Sequence, residues 1–199
     1  MKVIVIGAEG AVGRAVCNEL AARHQIIKVG RNSGEIHADI GDRQSIEAMY
    51  REASPVDAVV CAAGAVHFAP VDEFTEDQFM IGLKSKLMGQ VNVVLVGLGV
   101  LADGGSFTLT SGVTDRDPIR QGSGSAAVNG ALGGFVVGAA IEMPRCIRIN
   151  VVSPGLLQAS AKIYDGVFPG HEPVSSERVG LAYAKSVEGA ITGQVIIVE

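Results

Sequence analysis

A short apolar run, Lys2–Ile6, leads directly into Gly7-Ala8-Glu9-Gly10-Ala11-Val12-Gly13, and a helical pattern follows at once. No other feature of the chain constrains the fold as tightly. A strand that turns into a helix within so few residues needs Gly7 for the tight turn. Gly10 removes a side chain where backbone must approach a pyrophosphate, and Gly13 lets the helix pack close to the strand. The helix start adds free N–H groups and a partial positive charge, which suit phosphate. The loop is also compatible with a plain tight turn, but its strand–loop–helix setting favours a dinucleotide-binding βαβ unit. Gly7, Ala8, Gly10, Val12 and Gly13 are therefore candidate cofactor-binding positions.

The rest of the chain continues the pattern of short apolar runs and longer helical stretches, which implies βαβ units and a parallel sheet. Strands are expected near Lys2–Ile6, Ile26–Val29, Glu35–Ala38, Ala58–Cys61, Ser106–Thr110, Arg148–Val152 and Gln194–Val198. Helices are expected over Ala11–Ala22, Asp42–Glu52, Thr75–Leu101, Gly124–Glu142 and Ser175–Ser186. Right-handed crossovers place helices on both faces, giving a doubly wound, mostly parallel α/β sheet of the Rossmann type. At 199 residues one domain over 1–199 is the natural reading. Ligands of such sheets sit beyond the carboxyl ends of the strands.

Charge and composition exclude several classes. The net charge of −5 offers no footprint for nucleic acid. The uncharged stretch from Gln121 to Ile141 has the length of a membrane span. It carries Gln121, Ser123, Ser125 and Asn129 and many glycines, so a buried, tightly packed helix is expected and no membrane partner. The first apolar run is too short for a signal-peptide core. The cysteines Cys17, Cys61 and Cys146 are scattered singly, as expected of buried, reduced thiols in a cytoplasmic protein. No spacing of His, Cys or carboxylates suggests a metal site.

The second strand runs into Gly30-Arg31-Asn32-Ser33, the point where dinucleotide folds read the adenosine ribose. An acid there suits the 2′-hydroxyl of NAD, and a base the 2′-phosphate of NADP. Arg31 with Ser33 favours NADP over NAD; the alternative is a solvated arginine in a turn. Asp39, followed by Ile40, can accept from an adenine amino group or cap the next helix.

Four segments together resemble the short-chain dehydrogenase/reductase superfamily over nearly the whole chain. They are the Gly7–Gly13 loop, Cys61-Ala62-Ala63-Gly64 after the fourth strand, Thr110-Ser111-Gly112 after the fifth, and Arg148-Ile149-Asn150-Val151-Val152-Ser153-Pro154-Gly155. The closing Ile191-Thr192-Gly193-Gln194 is also similar to the family. The resemblance implies that Ala62, Ala63, Gly64, Pro154 and Gly155 flank the cofactor and that Ser111 is the catalytic serine. The Gly7-x-x-Gly10-x-x-Gly13 spacing is that of the superfamily's extended branch, whereas Pro154-Gly155 belongs to its shorter branch.

The family's Tyr-x-x-x-Lys pair is missing. By the run Ala126-Ala127-Val128 that should follow it, the tyrosine position falls on Gln121 and the lysine position on Ser125. An amide cannot exchange a proton at neutral pH, and a serine brings no positive charge. The family's helix asparagine, three residues before a glycine, falls on Lys86 before Gly89. Lys86 is therefore expected to reach the vacated ammonium site, facing Ser111 across the nicotinamide. Periodicity places it on the helix's inner face with Val93; the alternative is a surface lysine beside Lys84. Proton delivery falls to Lys86, to His67 after Gly64, or to water, with Tyr164 a remote candidate. Asp115, Arg116 and Asp117 read as a solvated turn. Residues 156–172 form a short substrate lid.

These features favour an NADP-dependent oxidoreductase moving hydride to or from a small carbonyl or alcohol, with a non-standard site. A binding protein that senses NADP(H) without turnover, and a structural homodimer with a vestigial pocket, are the alternatives. The family commonly assembles through its two long helices. Gly89, Val93, Gly97, Ala127, Ala131, Gly134 and Gly138 suggest a homodimer or homotetramer with close helix approach.

Overall fold

The computed structural model describes residues 1–199. Its first strand shows why the chain folds as it does. In β1, Lys2–Ile6, alternate side chains enter two different cores. Ile4 and Ile6 join one buried cluster, while Val3 and Val5 join another on the opposite face. A strand buried on both faces must be covered on both, which a parallel sheet with crossover helices provides. Each fully buried Val, Ile or Leu contributes about 1.5–3 kcal/mol, so these two clusters are the main stabilising mass.

The strands β2 (Gln25–Gly30), β3 (Ile36–His37), β4 (Val56–Cys61), β5 (Leu101–Thr110), β6 (Arg148–Pro154) and β7 (Val195–Val198) complete a seven-stranded sheet in the order β3-β2-β1-β4-β5-β6-β7. Every pairing is parallel. The order reverses between β1 and β4, the switch point at which such sheets open a crevice for ligands. The first core lies under α2 (Arg43–Ala53), α4 (Gly89–Gly97) and α5 (Ser123–Ala140). The second lies under α1 (Ala11–Leu20) and α6 (Ser176–Glu188).

Helix starts fall where the side chains cap them. Asp42 accepts from the Gln44 N–H ahead of α2, and Ser175 accepts from Arg178 ahead of α6. Thr75 and Gln78 form a capping box ahead of α3 (Glu76–Gly82). The helix expected over Thr75–Leu101 differs in its interior. After α3 the backbone runs through a π-helical segment, Leu83–Met88, before α4 resumes it. It also ends at Gly97, because β5 begins at Leu101 rather than Ser106, with a register irregularity opposite Val56–Ala58. β3 is only two residues long.

The uncharged stretch forms α5, with Val128, Leu132 and Val136 buried against the sheet. The one helix whose length and composition match a membrane span is Glu76–Gly97. It too packs on the domain, burying Gln90, Val93 and Val94. All three cysteines are free thiols; Cys17 and Cys61 are buried as expected, but Cys146 is exposed.

Candidate active site

The glycine loop has the geometry its spacing implies. Gly7 sits at φ +81°, and a Cβ there would lie 2.7 Å from the Ala62 carbonyl oxygen. A Cβ at Gly13 would meet the Gly7 carbonyl oxygen at 2.1 Å, so helix and loop touch through bare backbone. Gly10 caps α1, and Arg14 is the first residue of that helix to find an acceptor, the Gly10 carbonyl. The N–H groups before it are left for a ligand. Ala8 is different: its side chain is buried in the core and its N–H points to Val29 O at 3.4 Å. Val12 also packs against that core.

Beside the loop lies a cavity of about 250 Å³ bounded by Gly7, Gly30, Arg31, Asp39, Ile40, Ala63, Gly64 and Ser85. Arg31 is exposed at its edge. Asp39 does not cap α2; Asp42 does, while Asp39 Oδ1 accepts from Gly41 N at 2.8 Å. Its other oxygen stays available to the cavity. Ser33 lies behind Gly30, whose Cβ would meet Ser33 O at 2.7 Å. Ser33 thus shapes the turn and does not border the cavity.

Gly64 is the wall shared with a second cavity of about 260 Å³. Its lining includes the polar Lys86, Ser111 and Asn129, the turn residues Pro154 and Gly155, and Val66, Phe68, Leu156, Leu157, Tyr164 and Phe168. Gly64 is at φ +133°, and a Cβ would fall 2.7–2.8 Å from Lys86 Cα, Cβ and Cγ. Only a glycine lets the π segment press its lysine against this loop.

Lys86 does face Ser111. Its Nζ donates to Ser111 O at 3.1 Å and to Asn129 Oδ1 at 2.7 Å. Asn129 Nδ2 donates onward to Thr114 Oγ1 at 2.8 Å, and Thr114 and Ser125 share a hydrogen bond at 3.0 Å. The position expected to hold the family's lysine, Ser125, is therefore the far end of a network whose near end is Lys86. Burial lowers the Lys86 ammonium from its ordinary 10.5 to about 8, against the opposing pull of Asp115. The Ser111 hydroxyl is buried and has no hydrogen-bond partner. An orphaned hydroxyl in a polar cleft calls for a ligand oxygen.

The tyrosine position is vacant in space as well as in sequence. Gln121 is an exposed turn residue at φ +63°, ahead of α5, and borders neither cavity. His67 stacks on Phe74, ring centres 5.9 Å apart, and does not line the Ser111 cavity. The charge run is not merely solvated. Arg116 donates to Ser153 Oγ at 2.5 Å and Ser153 O at 3.2 Å and pairs with Glu199 at 2.9 Å, bracing the segment before Pro154. Upstream, buried Gln90 exchanges two hydrogen bonds with the Thr110 backbone, fixing the strand end that presents Ser111.

Two contributors escaped the sequence reading, Asn129 and Thr114. A buried asparagine in a helix of Gly, Ala and Val was a signal, because such an amide needs partners.

A family model described as enoyl-(acyl carrier protein) reductase matches residues 2–198. The chain belongs to the short-chain dehydrogenase/reductase superfamily. Members of this superfamily are oxidoreductases that bind NAD(P). Versicolorin reductase stcU of Emericella nidulans is 27% identical over 196 residues, covering 88% of this chain and 72% of the relative. The protein lin1944 of Listeria innocua has 45% identity and a TM-score of 0.98, with full coverage of both chains. A small-chain dehydrogenase solved in complex with NADPH shares the fold at TM-score 0.88, with 24% identity and coverage of 100% of this chain and 96% of that one.

Proposed function

We propose that this chain is an NADP-dependent oxidoreductase that reduces a small carbonyl compound or oxidises the matching alcohol. The observation that carries this reading is a buried, partnerless Ser111 hydroxyl on a residue whose backbone carbonyl accepts from the Lys86 ammonium, both lining a cavity that adjoins the glycine loop. Gly7, Gly10 and Gly13 with the first turn of α1 suit the pyrophosphate. Asp39 and Ile40 suit the adenine, Arg31 the 2′-phosphate, and Gly64, Pro154 and Gly155 the nicotinamide half. The NADPH held by a structural neighbour supports the choice of phosphate form. When bound, the cofactor supplies or takes the hydride.

The chain's own residues then polarise and hold. Ser111 Oγ donates to the carbonyl oxygen, gaining the partner it lacks. Lys86 brings a positive charge to the same cavity, where it would favour a developing alkoxide and would be the cation available to ribose hydroxyls. A preorganised donor of this kind is worth about 10²–10³ in rate. Ser111→Ala should lower the rate of NADPH-dependent carbonyl reduction by about a hundredfold or more and leave NADPH affinity within about threefold. A wild-type protein inert across a panel of small aldehydes, ketones and alcohols, yet binding NADPH, would instead mark a sensor.

The expected partner in assembly is a second copy of the chain. Ala127, Ala131, Gly134 and Gly138 are exposed on α5, and Gly134 and Gly138 have open space where a Cβ would sit. Gly89, Val93 and Gly97 take no part. Val93 is fully buried, Gly89 packs on Ile40, and Gly97 packs on Tyr50 and Phe107. A reducing, cytoplasmic setting fits the three free thiols.

A further inference from the structure

We infer that Tyr164, carried by the lid, supplies the substrate proton that the family normally draws from a helix tyrosine. The inference rests on the oxidoreductase reading and names the acid that Ser111 and Lys86 leave undefined.

The chain has three tyrosines. Tyr50 is fully buried and donates to Val93 O at 2.7 Å; Tyr183 is fully buried and shares a 2.6 Å bond with Thr110 Oγ1. Burial pushes both phenols above their ordinary range, so neither can serve. Tyr164 alone borders the cavity that holds Lys86 and Ser111. It has no hydrogen bond through its hydroxyl to another side chain, whereas both core tyrosines do their structural work through theirs.

The lid is built to present this residue. Its base is closed by backbone bonds from Gln158 N to Val174 O at 2.9 Å and from Val174 N to Leu156 O at 2.7 Å. Between them, Phe168 meets the Tyr164 ring edge-on at 5.8 Å and the His171 ring at 5.2 Å. His171 in turn lies 3.4 Å from Asp117, on the segment that follows Ser111. A line of contacts thus runs from Tyr164 to Asp117, on the segment that follows Ser111. Lys86 is the one charged residue lining the same cavity, and a cation there favours a forming phenolate.

In the reductive direction the carbonyl carbon gains the hydride and the carbonyl oxygen gains the Tyr164 proton. The phenol O–H breaks, the alcohol O–H forms, and water returns a proton to the phenolate. General acids of this kind contribute about 10²–10⁴ in rate.

The test uses protein labelled with ¹³Cζ-tyrosine and loaded with NADP⁺, titrated with cyclohexanone as the carbonyl probe. We expect saturable movement of the Tyr164 resonance alone, assigned by its loss in Tyr164→Phe, and severalfold weaker binding in that variant. In turnover, Tyr164→Phe should lower kcat by about a hundredfold or more while KM for NADPH stays within about twofold. A Tyr164 resonance that cyclohexanone leaves unmoved, or a Tyr164→Phe variant with near-wild-type kcat, would overturn the proposal. Absence of wild-type turnover would count against the oxidoreductase reading, and the tyrosine resonance would still decide Tyr164.

Discussion

At the scale of single residues, the site turns on a lysine in an unfamiliar place. Lys86 is half-buried and hydrogen-bonded to Ser111 O and Asn129 Oδ1, with its ammonium lowered to about 8. The sign of the consequence follows from linkage. Below pH 8 the folded protein holds a cation whose burial is unfavourable, a cost of order 3 kcal/mol for a shift of this size. That cost is relieved as pH rises from about 8 towards 10.5, where only the unfolded chain still binds the proton. Lys86→Met should therefore be tolerated by the fold at pH 7. Its stability relative to wild type should decline as pH rises through that window, which denaturant unfolding at several pH values measures. Any catalytic benefit of the charge should fade in wild type above about pH 8. A Lys86→Met protein already unfolded at pH 7 would show that the lysine is a structural member.

At the scale of elements, the informative feature is the π segment. The family resemblance, through the position three residues before Gly89, and helix periodicity together put Lys86 on an inner helix face, and the side chain does point there. It reaches Ser111, however, through a widened turn between Gly82 and Gly89 that periodicity cannot reveal, because π-helical turns differ from α-helical ones in hydrogen bonding and not in composition. The same stretch explains Gly64, legible as a motif glycine but not as the residue that makes room for Lys86. Gly64→Ala should cost roughly 1–3 kcal/mol from backbone conformation alone. At about 2–4 °C per kcal/mol for a chain of this size, calorimetry should show the fall, and NADPH-dependent turnover should drop more than stability does. An unchanged melting temperature would mean that the loop and the π segment are not in contact. β3 is likewise shorter than its sequence suggests: Glu35 and Ala38 fit a strand, but sheet pairing reaches only Ile36 and His37.

At the scale of the whole molecule, the doubly wound parallel sheet is the most legible property. Two-sided burial of Val3, Ile4, Val5 and Ile6 and the glycine loop behind them leave few alternatives to a doubly wound sheet. Less legible was which small residues serve the interior. Gly89 and Gly97 look like Gly134 and Gly138 in sequence, yet the first pair are filled by Ile40, Tyr50 and Phe107 and the second pair are open. Sedimentation at micromolar concentration should therefore find a homo-oligomer, and Gly134→Leu should shift it towards monomer; a wild-type monomer would remove that proposal. The central claim, a cleft that runs from the glycine loop to Ser111 and selects NADP, is tested most directly by equilibrium titration with NADPH and NADH. Charge-assisted contact between Arg31 and the 2′-phosphate is worth about 1.5–3 kcal/mol. Wild type should accordingly bind NADPH at least about tenfold more tightly than NADH, and Arg31→Ala should lose that preference while keeping its NADH affinity. Equal affinity of wild type for the two cofactors, or binding of neither, would contradict the account.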